Sequence, residues 1–329
     1  MKALRPLAAL ATAALLLTGC GTTEAPTSGT GSDASASTAA EPISLTDARG
    51  KTVELDGPAT RVVGTEWGAV ENLVTLGVMP VGVADVKGYG AWVKSEPLDD
   101  SVTDIGTRGE PSFDTIASLD ADLIVATNDL SENVIQQLED LAPVMVVKSA
   151  DASHQIQQAE DNLELVAEAT GTEDQAEEAI AEYDAAVAEG KKALADAGLA
   201  GTRVAFADGW VADGQVSIRP YAKGSLLTDI NTELGLVNAW TLKGDPAYGL
   251  AQTDVEGLTK IDADRFVYIA NDVDADFTEA LEDNAVWKSL PFVKSGNVYR
   301  LKDGIWMFGG PSSMTQYVKS LVASLTAKS

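Results

Sequence analysis

One cysteine and one histidine are all that this chain of 329 residues contains of the two residue types most used for metal and thiol chemistry. A lone cysteine excludes an internal disulfide and a thiolate cluster. His154 alone cannot furnish the imidazole set that sites for zinc, manganese or ferrous ion require, so direct capture of such an ion is not expected. A Gly-x-Ser-x-Gly elbow, a P-loop and a dinucleotide fingerprint are also missing, which leaves nucleophilic and nucleotide chemistry without their usual parts. Cationic side chains are scarce, 23 against 50 acidic ones, for a formal net charge of −27. Such a chain repels polyanions, so nucleic acid and anionic lipid headgroups are poor candidates as partners, and the acidity reads most simply as solubility. The remaining composition is ordinary, 45% hydrophobic and 22% charged. That is enough to fill two cores on a prior of roughly 150 residues per domain.

The first nineteen residues read as a targeting signal. Lys2 and Arg5 precede an apolar run from Leu7 to Leu17 that is too short to span a bilayer. The run ends in Leu17-Thr-Gly-Cys20, which resembles the bacterial lipoprotein box cleaved before its cysteine. Cys20 is then the expected lipidated N-terminus, with a plain secretory signal as the alternative. Residues 20–41, rich in Gly, Ser, Thr and Ala, lack periodicity and read as a flexible tether.

The folded body repeats itself. Ser112-Phe-Asp-Thr-Ile-Ala-Ser-Leu-Asp-Ala-Asp-Leu-Ile-Val125 recurs in residue type as Asp254-Val-Glu-Gly-Leu-Thr-Lys-Ile-Asp-Ala-Asp-Arg-Phe-Val267, so that Asp114 matches Glu256 at an offset of 142. Thr60-Arg-Val62 recurs as Thr202-Arg-Val204 at the same offset. A period this long means two similar lobes rather than a solenoid. Strand patterns alternate with helical ones in both halves, which predicts parallel βαβ units. In the first half they follow a hairpin over 43–55: strands at 61–64, 81–83, 123–126 and 144–147, and helices over 68–76, 112–119 and 131–140, with a loop from Asp85 to Asp104. Helical patterns over 153–169 and 173–197 separate the halves, and Gly190 predicts a slight irregularity in the second. The second half gives strands at 203–207, 266–269 and 297–301 and helices over 223–234, 254–261, 276–283 and 311–326. The expected organisation is an N-terminal lobe over 42–170, a linking helix over 171–198 and a C-terminal lobe over 199–329. The fold class is α/β, with mostly parallel sheets in two lobes joined by one long helix. Ligands favour the cleft such an arrangement creates.

Aromatic residues are few, 6% of the chain, but Trp67, Tyr89, Trp92, Trp210, Tyr221, Trp240, Tyr248, Trp306 and Phe308 mostly fall in predicted loops. They are candidates to wall a ligand, the alternative being that several plug the lobe cores. Trp287 reads as a core anchor on a helix. Arg108, on a Gly-flanked loop, offers a fork of donors for carboxylate or hydroxamate oxygens and a locally positive potential for an anionic chelate. Arg219 is a second candidate in the other half, with a surface ion pair as its alternative reading. Asp120 and Asp122 could be proposed as the acid–base pair of a secreted hydrolase, but adjacent carboxylates before a strand are read as solvated turn residues. A cell-wall adhesion module is the remaining alternative, one that would leave the aromatics buried.

Three stretches carry a resemblance: Gly106-Thr-Arg-Gly-Glu-Pro-Ser-Phe-Asp114 with 116–126, Glu66-Trp67 with Leu76-Gly-Val78 and 80–83, and Asp303-Gly-Ile-Trp-Met-Phe-Gly-Gly-Pro311. From about residue 43 onward the chain resembles the iron–siderophore substrate-binding proteins of bacterial ABC importers, the helix-linked two-lobed class that also includes cobalamin binders. The resemblance implies a non-enzymatic, monomeric protein with no cofactor. Its ligand would be an iron(III)–siderophore complex of citrate, mixed-ligand or hydroxamate type, with cobalamin or haem as the alternative, and lobe movement on binding would be small. It implies partners in an ABC permease dimer with its ATPase, and a lipoprotein on the outer face of the membrane. By motif position, Asp114 and Glu256 become permease-docking carboxylates, although the family usually has Glu at the first. Arg108 matches an arginine that ferric-hydroxamate binders place on iron-bound oxygens. The tyrosine that those binders use after the next strand has no match around Asn128 and Asp129, and the Trp306 motif looks more like the citrate and mixed-ligand branch.

Overall fold

The computed structural model describes residues 41–327 except Asp272. The lipidation and tether expectations, Cys20 included, lie outside the described residues. The chain enters through an antiparallel hairpin of β1 (Ile43–Thr46) and β2 (Thr52–Leu55). There follow β3 (Val62–Gly64), α1 (Trp67–Thr75), β4 (Gly82–Val83), α2 (Val86–Trp92), β5 (Thr103–Asp104), α3 (Phe113–Ala117), β6 (Leu123–Thr127), α4 (Glu132–Glu139) and β7 (Val144–Val147). The five strands form a parallel sheet in the order β5-β4-β3-β6-β7. Every residue of β6 and β7 is buried, as expected of parallel strands covered on both faces.

Helices α5 (Gln155–Thr170) and α6 (Glu173–Asp196) then lead to the second lobe. It contains β8 (Arg203–Ala212), β9 (Gln215–Pro220), α7 (Leu226–Glu233), β10 (Val237–Asn238), β11 (Arg265–Tyr268), α8 (Ala285–Ser289), α9 (Pro291–Lys294), β12 (Val298–Arg300) and α10 (Pro311–Thr326). Its sheet runs β10-β8-β11-β12 in parallel, with β9 antiparallel to β8. The architecture is therefore two α/β lobes with mostly parallel sheets, connected by the long helix α6.

The repeated sequence is a repeated clip. In the first lobe Val62 pairs with Leu123, and the Asp122 carboxylate accepts the amides of Thr60 and Arg61 at 2.9 Å each. In the second, Val204 pairs with Arg265, and Asp264 accepts the amide of Arg203 at 2.8 Å. Both pairs keep the offset of 142. Each aspartate satisfies amides that would otherwise be lost where a strand begins, and so sets the register of two neighbouring strands. Leu76-Gly-Val78 and Leu234-Gly-Leu236 match for a similar reason. Gly77 (φ 79°) and Gly235 (φ 81°) end α1 and α7 in the left-handed region, where glycine carries no Cβ penalty.

Several sequence expectations change. The loop expected from Asp85 to Asp104 contains α2, hidden by Gly88 and Gly90, which are poor helix formers. Gly88 is there for space, because a Cβ would come within 2.4 Å of the Trp67 ring. The helix expected over 254–261 is one 3-10 turn, Gly257–Lys260, and that over 276–283 is reduced to Glu279–Leu281. The first strand of the second lobe runs on to Ala212 and folds back as β9 through Asp213-Gly214, both at positive φ. Asp-Gly flanked by Val211-Ala212 and Gln215-Val216 is a hairpin signal present in the sequence. Helix α6 is continuous through Gly190, where a Cβ would meet Leu234, Val322 and Val318 at 2.9–3.2 Å. That glycine lets α6 lie close against α10 rather than breaking it.

One apolar cluster crosses from lobe to lobe, taking in Trp67, Val70 and Tyr89 from the first, Tyr183 from α6, and Phe206, Met307 and Tyr317 from the second. A polar tie runs beside it. Helix α10 has no capping side chain of its own, and its N-terminus is capped instead by Glu71 of α1. The Glu71 carboxylate accepts from the amides of Ser313 (2.6 Å) and Gly310 (3.2 Å) and from the Ser95 hydroxyl (3.0 Å). A Cβ at Gly309 would lie 2.1 Å from Glu71, and one at Gly310 2.1 Å from Asn72, which explains the paired glycines before Pro311.

Candidate functional site

A cavity of about 420 Å³ lies between the lobes. The first lobe contributes the start of α1, the loop after β5 and the ends of β6 and β7. The second contributes β9, the Tyr248 loop and the segment Trp306–Gly310 before α10, and α5 lines one side.

Trp67 opens α1, and its indole N–H donates to the Ala84 carbonyl at 3.1 Å, which fixes the ring. Arg108 stacks on it with the guanidinium carbon 3.9 Å from the ring centroid, a cation–π geometry, and donates to Glu66 at 2.9 Å. From Trp67 a chain of rings crosses the site. Trp306 meets Trp67 edge-on at 4.8 Å, Phe308 meets Trp306 at 5.1 Å, and Phe308 touches Tyr221 (6.0 Å, stacked) and Tyr248 (5.5 Å, edge-on). Arg219 lies 5.4 Å from the Phe308 ring and forms a two-pronged pair with Asp208. Burial pushes the Asp208 carboxyl up, and the two-pronged pairing with the Arg219 guanidinium opposes that rise. Trp92, the last residue of α2, completes the aromatic wall.

Eight of the sequence candidates therefore converge on one cavity: Trp67, Trp92, Arg108, Arg219, Tyr221, Tyr248, Trp306 and Phe308. Three do not. Tyr89 is fully buried and its hydroxyl donates to the Glu96 carbonyl at 2.7 Å, because α2 turns it into the core. Trp240 is buried in the second lobe, with its indole N–H on the Phe206 carbonyl at 2.7 Å. Trp210 is exposed on β8 outside the cavity, its ring 6.0 Å from the Arg219 guanidinium. Trp287 packs on Phe266 and Phe292 in the core, as the helix pattern predicts.

The electrostatics also differ from expectation. Arg108 was expected to give a locally positive potential, but Glu66 neutralises it across the ion pair. Glu66 is one of the residues that sequence reasoning did not place in the site, although it stands in the Glu66-Trp67 motif. Others are Gln155, Gln158 and Asn162, which share one face of α5 at spacings of three and four and could have been found from that periodicity. Asp129 was also missed. Its carboxylate accepts from the Tyr248 hydroxyl, so the neighbourhood of Asn128 and Asp129 receives its tyrosine from the opposite lobe.

The site is well supplied with donors. Among the described residues, the Trp306 indole nitrogen is a buried donor on the lining with no hydrogen-bond partner, and Asn72 Oδ1 is a second such atom, an acceptor. Native interiors rarely leave such groups unpaired, and groups like these facing a cavity are suited to a polar ligand. No group of three or more His, Cys, Asp or Glu able to hold a metal ion occurs among the described residues. His154 is exposed at the start of α5.

Asp114 and Glu256 are exposed, each at the beginning of the helical turn that precedes the repeated strand.

Comparison with known proteins agrees with this architecture. The chain is 29% identical over 330 residues to the Fe(3+)-citrate-binding protein YfmC of Bacillus subtilis (strain 168), covering 99% of this chain and 98% of that one. It is 26% identical over 276 residues to the iron(3+)-hydroxamate-binding protein FhuD of Escherichia coli (strain K12), covering 82% and 88%. The crystal structure of Fe3+–Desferal-bound FhuD from Vibrio cholerae matches with a TM-score of 0.73 at 27% identity, over 82% of this chain and 98% of that one. Residues 62–304 match the model of the periplasmic binding proteins, and the chain belongs to that family.

Proposed function

We propose that the protein is the extracytoplasmic substrate-binding component of an ABC importer, capturing a ferric siderophore between its lobes and passing it to the permease. The observation that carries this reading is the cavity itself: an aromatic wall shared by both lobes, with one arginine from each and no ligand set for a bare metal ion. Iron would enter it already wrapped in a chelator. Relatives whose names state ferric-citrate or ferric-hydroxamate binding support the ligand class. Membership in a family of binding proteins, rather than any missing residue, sets the hydrolase and adhesion readings aside.

In this reading Arg108 and Arg219 donate to the chelate, while Trp67, Trp92, Tyr221, Tyr248, Trp306 and Phe308 pack around it. Asp114 and Glu256 dock on the permease dimer, which works with its ATPase. Cys20 carries the lipid that holds the protein at the outer face of the membrane. Residues 42–170 and 199–329 act as the lobes, with 171–198 as the link.

Titration of tryptophan fluorescence with a panel of ferric siderophores, with the iron-free siderophores as controls, tests the ligand. At least one ferric complex is expected to quench strongly, since Trp67, Trp92 and Trp306 line the cavity. Arg108→Ala is expected to weaken that binding by about 10-fold or more, the value of a charge-assisted hydrogen bond. A flat response to every iron complex, with tight binding of cobalamin or haem instead, would refute the ferric reading.

A further inference from the structure

The charges around the cavity are balanced in a way that bears on what it can hold. Three cationic side chains line it among the described residues, and each is already ion-paired: Arg108 with Glu66 (2.9 Å), Arg219 with Asp208, and Lys148 with Asp151. Each arginine still has donors to spare, because Arg108 uses one nitrogen on Glu66 and Arg219 uses two on Asp208. One further carboxylate lines the site, that of Asp129, and its hydrogen bond comes from a neutral phenol, Tyr248. The polar lining is thus rich in hydrogen-bond donors and carries no surplus positive charge, and its one unneutralised group is negative.

We propose, building on the ferric-siderophore reading, that the site selects by charge. It takes an uncharged or singly cationic ferric chelate, with Asp129 accepting an ammonium group carried on an arm of the ligand. Three hydroxamate anions cancel the three charges of iron(III), and the resulting neutral shell of oxygens matches donors whose charges are already cancelled. Three catecholate dianions leave the complex triply negative. Burying that charge against indole and phenyl rings, with the nearby cations committed to carboxylates, costs solvation that nothing in the lining returns. Ferric citrate complexes are excluded for the same reason. The Trp306 motif, which on sequence pointed toward citrate, supplies a ring and an unpaired N–H, neither of which requires an anionic ligand.

The test is a matched series on the intact protein, read by tryptophan quenching. It comprises a linear ferric trishydroxamate with a free terminal amine, the same complex N-acetylated, the same complex N-succinylated, a ferric tricatecholate and ferric citrate. The amine form is expected to bind about 3- to 10-fold tighter than the acetylated form, as for a partly solvated ion pair. The succinylated form should be weaker again, and the tricatecholate and citrate complexes weaker than the acetylated form by about 100-fold or more. Asp129→Asn is expected to bring the amine and acetyl forms to equal affinity. Equal or tighter binding of the tricatecholate or citrate complex overturns charge selection while leaving the ferric-siderophore reading standing. A preference for the amine form that survives Asp129→Asn overturns the assignment to Asp129. Failure of every ferric complex to bind overturns both.

Discussion

Replacing Glu71 by glutamine isolates the electrostatic cost of the tie between the lobes. The carboxyl is fully buried, and burial pushes it up to about 7 from an ordinary value of 4.5, against the lowering pull of the Ser313, Ser95 and Gly310 donors. Because the folded value lies above the unfolded one, the folded chain holds a proton that the unfolded chain has lost across this window. The contribution is fully present below pH 4.5, decays as pH rises, and is gone above about 7. At about 1.36 kcal/mol per pH unit, the window corresponds to about 3 kcal/mol. Glutamine keeps a carbonyl at the Oε1 position for the Ser313 amide and the Ser95 hydroxyl but cannot ionise, while its NH2 group replaces Oε2 and loses the Gly310 amide, a cost that is the same at every pH. Urea unfolding of both proteins at pH 5 and pH 8 therefore has a definite expected outcome. The stability of Glu71→Gln relative to wild type should rise by about 2–3 kcal/mol between the two pH values, with unchanged denaturant slopes. All other titrating groups are shared, so the difference reports Glu71. A gap between the two proteins that is the same at pH 5 and pH 8 would refute the argument.

Two further perturbations address the packing and the surface. Gly190→Leu should cost about 1–3 kcal/mol in urea unfolding by forcing α6 away from Leu234, Val318 and Val322, and Gly190→Ala should be close to neutral, since its helix propensity offsets a contact with flexible side-chain ends; a neutral leucine variant would mean that the helices are not closely packed there. Asp114→Arg with Glu256→Arg should leave ferric-ligand affinity unchanged and abolish ligand uptake by cells, and uptake at wild-type rate would remove both residues from the docking role.

How far the sequence could be read follows from what kind of interaction shaped each part. The strand–helix alternation and the repeat at 142 were legible because they reflect local pattern and a local clip, with Asp122 and Asp264 each bonding the start of a neighbouring strand. Helix α2 was not legible, since Gly88 is selected by the Trp67 ring lying against it rather than by helix propensity. The same long-range packing made Tyr89 and Trp240 look like loop aromatics when both are core residues. Arg108 was found from its glycine-flanked loop, but its neutralisation by Glu66, 42 positions earlier, is a fact of tertiary structure. The hairpin at Asp213-Gly214 was available to a stricter reading of turn residues.

The apolar cluster running from Trp67 to Tyr317 has a bearing on supply and demand at the membrane. Lobes that share a core resist being pulled apart, which supports the expectation of a small lobe movement; on that expectation an empty molecule and a loaded one have nearly the same outline. On the docking reading, both present Asp114 and Glu256 at the same separation, and empty copies compete with loaded ones for the permease. Uptake per transporter would then pass through a maximum as copy number rises at fixed ligand. A cell short of iron would gain from more binding protein only up to the point at which unloaded copies begin to occupy the permease.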